Sequence, residues 1–345
     1  MAQSQDISMD IGTSNVLIYM QGKGIVLREP AVVAVDRDTD KVLAIGSEAN
    51  RLVGRTPGNV QAVRPFRTGS LSDFTLASTM LQSFLRTVVG RHWLARPRCV
   101  LSVPTGVSET ERRSISSIMF DAHMRRTQMI DRPIAAALGV GIPFSEPYGS
   151  LIVDMGAGAT DIAVLAMNEI VVATCVPIGG DYFDDAIIRY IRKKHNLLIG
   201  DLTAEEIKIN IGSAALPTGE LAEVSADVTG RSLISGLPKT QEITTMEVYE
   251  AIKEPVAELI EAIQGVIEHT PPQLASDVFE DGIVLTGGAA ALTGLAEAVY
   301  QALNIPCGVA EDPQTSVVMG CARVLENGSL LRENPAEGRR KRLRG

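Results

Sequence analysis

The segment Ile7-Ser8-Met9-Asp10-Ile11-Gly12-Thr13-Ser14-Asn15 returns in altered form as Leu151-Ile152-Val153-Asp154-Met155-Gly156-Ala157-Gly158-Ala159-Thr160-Asp161. Each copy is an apolar run ending in Asp-x-Gly, then small or hydroxyl residues, then a second apolar run, Val16 to Tyr19 in one and Ile162 to Ala166 in the other. That pattern reads as a β-hairpin with a glycine-bearing turn. A single such turn could be an ordinary surface hairpin, but recurrence of the whole strand-turn-strand unit predicts two copies of one domain. The turns suit an anion, because glycine lets backbone N–H groups converge closely on phosphate. A carboxylate repels phosphate, so Asp10 and Asp154 make most sense as holders of Mg²⁺ through water, and two facing hairpins would clamp a nucleoside triphosphate.

A chain of 345 residues has room for about two domains. Its net charge of −9 argues against a nucleic-acid binder of the electrostatic kind. The exception is the basic end, Arg339, Arg340, Lys341, Arg342 and Arg344, which reads either as a solvated tail or as a contact for anionic lipid. Cys99, Cys175, Cys307 and Cys321 show no Cys-x-x-Cys spacing and read as buried thiols in a reducing cytoplasm. Neither a signal peptide nor a membrane-spanning run is expected. Arg91-His92-Trp93-Leu94-Ala95-Arg96-Pro97-Arg98 sets the only tryptophan beside leucine among basic residues. Trp93 and Leu94 are therefore a candidate lipid anchor, the alternative being Trp93 as a core residue closing the preceding helix.

Strands alternate with helices in both halves, which predicts an α/β fold with a cleft between two similar domains. In the first half, Thr75 to Val88 reads as a helix after Asp73, and Ser108 with Glu111 as a capping box opening another. In the second half Thr203 and Glu206 have the same spacing, a long helix spans about Met246 to His269, and the strand Gly282 to Leu285 leads into Thr286-Gly287-Gly288-Ala289. Ser316 to Leu325 reads as a small-residue-rich helix returning the chain to the first domain.

These features resemble the actin-like ATPase superfamily and, within it, the bacterial actins of the MreB/Mbl family. The likeness runs from Asp10 to about Asn327. Its specific stretches are Gly24 to Pro30, Gly54 to Asn59, Tyr190 to Lys194 with Asn196 to Gly200, Gly236 to Thr240, and Ala310 to Pro313. The resemblance implies domain I at 1–149 plus 321–336 with a small subdomain at about 31–74. Domain II would be 150–320 with a small subdomain at about 182–247, leaving 337–345 as tail. It implies ATP or ADP with Mg²⁺ as cofactors. Gly12, Thr13, Ser14 and Asn15 would meet phosphate from one side, and Gly156, Ala157 and Gly158 from the other. Glu205 and Lys208 would flank ribose and adenine, unless they form a plain exposed ion pair. Gly287, Gly288 and Ala289 would pass beneath the base and α-phosphate, unless they are a plain strand-to-helix loop. The implied partners are further copies of the chain or an MreB paralogue, the inner face of the cell membrane and the cell-wall elongation machinery, with no nucleic acid. The implied location is cytoplasmic and peripheral to that membrane. A sugar- or acetate-kinase-type phosphotransferase of the same superfold is the alternative.

The chain departs from the family pattern where water would be handled. The position before Pro133 carries Arg132 rather than a glutamate, and Ala159 stands where the second turn has its first threonine. Neither a guanidinium nor a methyl group accepts a hydrogen bond from an attacking water. No catalytic residue is therefore intact, and hydrolysis is expected to be very slow or absent. Asp131 is the candidate substitute, though a shift of one residue would redirect its side chain. Ala157 and Ala289 replace glycines of the two turns. The former would cost about 1 kcal/mol if its φ had to be positive.

Overall fold

The structure, a computed structural model, describes residues 6–55, 58–90, 96–219 and 224–328. Trp93, Leu94 and the basic tail lie outside the described residues. The first half opens with β1 (Ile7–Ile11), β2 (Asn15–Met20) and β3 (Gly24–Pro30). A small three-stranded unit follows, made of β4 (Val33–Asp36), β5 (Lys41–Ile45), α1 (Ser47–Asn50) and β6 (Val60–Val63). Next come β7 (Phe66–Arg67), β8 (Ser70–Leu71), α2 (Phe74–Val89), β9 (Arg98–Val103), α3 (Glu109–Asp121), β10 (Arg126–Asp131) and α4 (Arg132–Val140).

The second half begins with β11 (Ser150–Met155), β12 (Thr160–Ala166), β13 (Glu169–Val176) and α5 (Gly180–His195). Its small unit holds β14 (Leu197–Leu198), α6 (Asp201–Ile211), β15 (Ser225–Ser232) and β16 (Pro238–Thr244). Then follow α7 (Thr245–Glu268), α8 (Pro272–Asp281), β17 (Ile283–Thr286), a 3-10 turn (Gly288–Ala291), α9 (Leu295–Leu303), β18 (Cys307–Val309) and α10 (Ser316–Glu326).

The two main sheets share one topology. Their strand orders are β10-β9-β1-β2-β3 and β18-β17-β11-β12-β13, with an antiparallel meander on one side of the lead strand and two parallel strands on the other. The hairpin turns match atom for atom: Gly12 N donates to Asn15 O and Gly156 N to Ala159 O, each at 2.9 Å. The repeat seen in the sequence is thus a repeat of backbone.

Alternation along the strands sorts side chains between layers. Ile7, Met9 and Ile11 enter a core shared with α2 and α3, while Ser8 turns the other way and donates to Val318 O of α10. In the second sheet Leu151, Val153 and Met155 face α5 and α7, and Ile152 with Ala163 and Leu165 enters a third core built on α4 and α10. Those two helices follow the last parallel strand of their own halves, and each crosses to the other half's sheet: α4 packs on β11 and β12, α10 on β1, β2 and β9. They cross each other backbone to backbone. A Cβ on Gly139 would fall on the Ser316 carbonyl, and one on Gly320 on that of Ala135.

The Ser108–Glu111 capping box forms as expected. The one expected at Thr203–Glu206 does not, because α6 starts earlier, with Gly200 at its N-cap and Ala204 N donating to Gly200 O. A box that the sequence reading passed over opens α7, where Thr244 Oγ1 accepts from Glu247 N and Glu247 Oε2 from Thr244 N. Thr244→Ala is expected to cost about 1 kcal/mol in denaturant unfolding. A change within a few tenths would show that Glu247 holds the helix end by itself. Of the cysteines, Cys99 and Cys321 are buried, whereas Cys175 and Cys307 are only partly so.

Candidate functional site

The same alternation that builds the cores brings the chemistry together. Asp10 shares its strand face with Ser8, Asp154 with Ile152, and Asp161 with Ala163 and Leu165, so all three carboxylates look toward the layer of α4 and α10. Arg132, the first residue of α4, meets them there. Its Nη2 lies 3.6 Å from Asp10 Oδ1, its Nε 3.9 Å from Asp154 Oδ2 and its Nη1 3.7 Å from Asp161 Oδ2. Nη2 also donates to the Ile11 carbonyl at 3.1 Å. Arg132 is 6% exposed, Asp154 4% and Asp161 0%. Asp10 accepts from Ser102 Oγ at 2.8 Å and Asp161 from Thr105 N at 2.7 Å. Asp154 Oδ1, Asp161 Oδ2 and Arg132 Nε have no hydrogen-bond partner.

Burial and charge together set the protonation of Arg132 and Asp154. Burial alone would lower the Arg132 pKa, but Asp10, Asp161 and Asp154 more than reverse that effect, so the guanidinium stays charged. Burial pushes the Asp154 carboxyl up to about 7; Arg132 pulls it down, while Asp10 and Asp161 push it further up. A carboxyl with a raised folded-state value keeps a proton that the unfolded chain has released. Its contribution to stability is therefore whole below the ordinary 3.8 and lost as pH rises through about 7. Asp154→Asn is expected to shrink the stability difference between about pH 5 and about pH 8, read from urea midpoints. An unchanged difference would mean that Asp154 titrates normally.

Asp10, Asp154 and Arg132 of this cluster line a cavity of about 470 Å³, with Asp161 buried behind them. Asp10, Gly12, Thr13, Ser14, Asn15, Asp154, Gly156, Ala157, Gly158, Glu205, Lys208, Gly287, Gly288 and Ala289 all line it, with Arg132 and Ala159. The hairpin turns nearly touch, since a Cβ on Gly158 would collide with the Thr13 hydroxyl, which also accepts from Gly69 N of the β7–β8 turn at 3.5 Å. Gly287 has φ +85° and lies against the Met155 carbonyl, a place no side chain could share. Ala157 and Ala289 have no positive φ, so the penalty considered for Ala157 does not arise.

Other expectations are redirected. Asp131 does not line the cavity: it shares the strand face of Met129, and its Oδ1 accepts from Arg112 Nη2 of α3 at 2.7 Å. Lys208 does not pair with Glu205. Its ammonium donates to Asp184 Oδ2 at 2.8 Å and to the Gly180 carbonyl at 2.9 Å, which ties α6 to α5. Burial raises the Asp184 carboxyl to about 6 although Lys208 pulls it down. Asp161 was missed as a site residue, yet its signal was in the repeat, since it pairs with Asp154 across the hairpin where Leu17 pairs with Asp10. Also missed were two links across the cleft, Arg64 to Asp181 at 3.4 Å and Arg28 to Gln314 at 3.2 Å.

The fit of Mg²⁺ can be tested on this donor set. Mg²⁺ takes six oxygens at about 2.0–2.1 Å and keeps much of its water. The space that such a hydrated ion would need between Asp10 and Asp154 holds the Arg132 guanidinium. The residues therefore do not fit the ion expected from the sequence.

A repeated hairpin sheet, crossed linking helices and a cavity between paired glycine turns together define the actin-like fold. Comparison with known proteins narrows that class. The MreB/Mbl protein family matches residues 4–333. The cell shape-determining protein MreB of Escherichia coli (strain K12) is 43% identical over 328 residues, covering 94% of each chain. Mbl of Bacillus subtilis (strain 168) is 40% identical over 328 residues, covering 95% of this chain and 98% of that one. The crystal structure of Spiroplasma citri MreB5 bound to ADP superposes with a TM-score of 0.89 at 31% identity, covering 95% and 98% of the two chains. The same protein bound to AMPPNP gives 0.88. The chain belongs to the MreB/Mbl family and is a bacterial actin, a cytoskeletal protein of the cell shape-determining kind. The kinase alternative finds no support among these relatives.

Proposed function

We propose that this chain binds ATP or ADP in the cleft, assembles into filaments alone or with a paralogue at the inner face of the cell membrane, and guides cell-wall synthesis with little or no nucleotide turnover. The observation that carries the reading is the convergence of every residue expected to meet nucleotide on one cavity between the two turns. ADP and AMPPNP in the similar Spiroplasma citri protein support it. The domain division drawn from the sequence belongs to the same proposal.

Self-assembly draws support from the turn joining β15 to β16, where Leu233, Ile234 and Leu237 are 45%, 84% and 66% exposed. Contiguous exposed apolar side chains of this kind are common at protein contacts. Among the described residues no helix is long and apolar enough to cross a membrane. Membrane contact would then be peripheral, with Trp93 and Leu94 the proposed anchor. Low turnover follows from chemistry: Arg132 fills the water-orienting position and Ala159 offers a methyl group.

Sedimentation with ATP, coupled to a phosphate-release assay, tests the reading. The expected result is pelleting with phosphate release at the level of a protein-free blank. Release of one phosphate per assembled protomer would overturn the claim of low turnover, and failure to bind nucleotide at all would overturn the whole reading.

A further inference from the structure

We propose that the Arg132 guanidinium stands where the two hairpin aspartates would otherwise hold a divalent cation, so that phosphate binding in this cleft requires no metal. The inference rests on nucleotide binding in the cleft and concerns what neutralises the phosphates there.

Geometry supports it in three ways. Arg132 enters from the start of α4, is fixed at one end by the Ile11 carbonyl, and lies 3.6–3.9 Å from Asp10, Asp154 and Asp161. These contacts supply charge without tight hydrogen bonds, so the guanidinium keeps donors to offer. The side chain is almost wholly buried, yet Arg132 is part of the wall of the same cavity as Gly12 and Gly156, so its charge acts on whatever that cavity holds. A guanidinium is permanently charged and, unlike a bound metal, cannot be removed by a chelator.

The position also explains the acidic neighbours. Asp10 and Asp154, which line the cavity, with Asp161 buried behind them, would disfavour a phosphate there unless a cation stood among them. In this chain that cation is covalently part of the protein. A mobile Mg²⁺ brought to the same point would face a fixed positive charge at contact distance, which lowers its affinity further.

The test is ATP titration of the full-length protein by calorimetry, in Mg²⁺ and again in excess EDTA. The expected result is a dissociation constant that changes by less than about threefold, because the neutralising charge remains in place. Weakening by about tenfold or more on chelation, as expected where the metal carries the phosphate contact, would overturn the inference while leaving nucleotide binding intact. Absence of binding in both buffers would overturn both readings. A second measurement uses Mn²⁺ alone, followed by water-proton relaxation. The natural chain is expected to give no enhancement, whereas Arg132→Gln, if folded, should bind Mn²⁺ and make ATP binding sensitive to EDTA. Equal Mn²⁺ binding by the natural chain would count against the inference, whether or not the variant folds.

Discussion

Arg132→Met is expected to lower the unfolding free energy by about 3–5 kcal/mol at neutral pH, the cost of removing one partner from a buried charge cluster. Methionine fills much of the same volume, so the loss is mainly electrostatic. Asp154 and Asp161 would be left facing Asp10 with no cation, and two of the three are almost wholly removed from water. The loss should shrink in acid, where Asp154, raised to about 7, takes up a proton and no longer needs a partner. Arg132→Lys should recover only part of it, because a point charge cannot reach Asp10, Asp154 and Asp161 together. Arg132→Glu would be worse, bringing a fourth carboxylate into the group. Urea unfolding at about pH 5 and about pH 8 reads all of these. A loss below about 1 kcal/mol at neutral pH would show that solvent screens the cluster.

The second large effect concerns packing. Gly320→Ala is expected to cost about 3 kcal/mol, at the upper end for overpacking, because the added carbon falls on the Ala135 carbonyl and backbone cannot swing aside as a side chain does. The same substitution at Gly265, inside α7 with nothing within 4 Å of the added carbon, should stabilise by about 0.5–1 kcal/mol through helix propensity. The pair separates close approach from the general effect of replacing a helical glycine. Equal effects at both sites would remove the crossing as the cause.

The contrast shows what the sequence could and could not reveal. Period-two alternation made the hairpins readable, and with them the inward direction of Asp10 and Asp154. It also implied that Asp131, one residue before Arg132, would leave the cleft, and it does so to reach Arg112. Local chemistry located the Ser108 cap but misplaced the one in α6, where Gly200 opens the helix before Thr203 is reached. The contacts that redefine the site are long-range. Nothing near Lys208 in the chain announces Asp184 as its partner, and nothing near Arg132 announces Ile11 or Asp161. Such pairings exist only once α4 and α5 have been packed. The resemblance marked Arg132 as a departure, and packing sets it among Asp10, Asp154 and Asp161.

The crossing of α4 and α10 bears on how such a molecule could move. A hinge made of side chains can rearrange its rotamers and let two bodies slide, but main chain pressed on main chain has no such slack. Motion of one sheet relative to the other is then a rotation about a fixed fulcrum. Displacement grows with distance from that point: the glycine turns at Gly12 and Gly156, near the start of α4, would scarcely shift, while the remote small units would sweep the widest arcs. A rotation at the centre is felt most in the small units, to one of which the exposed turn at Ile234 belongs.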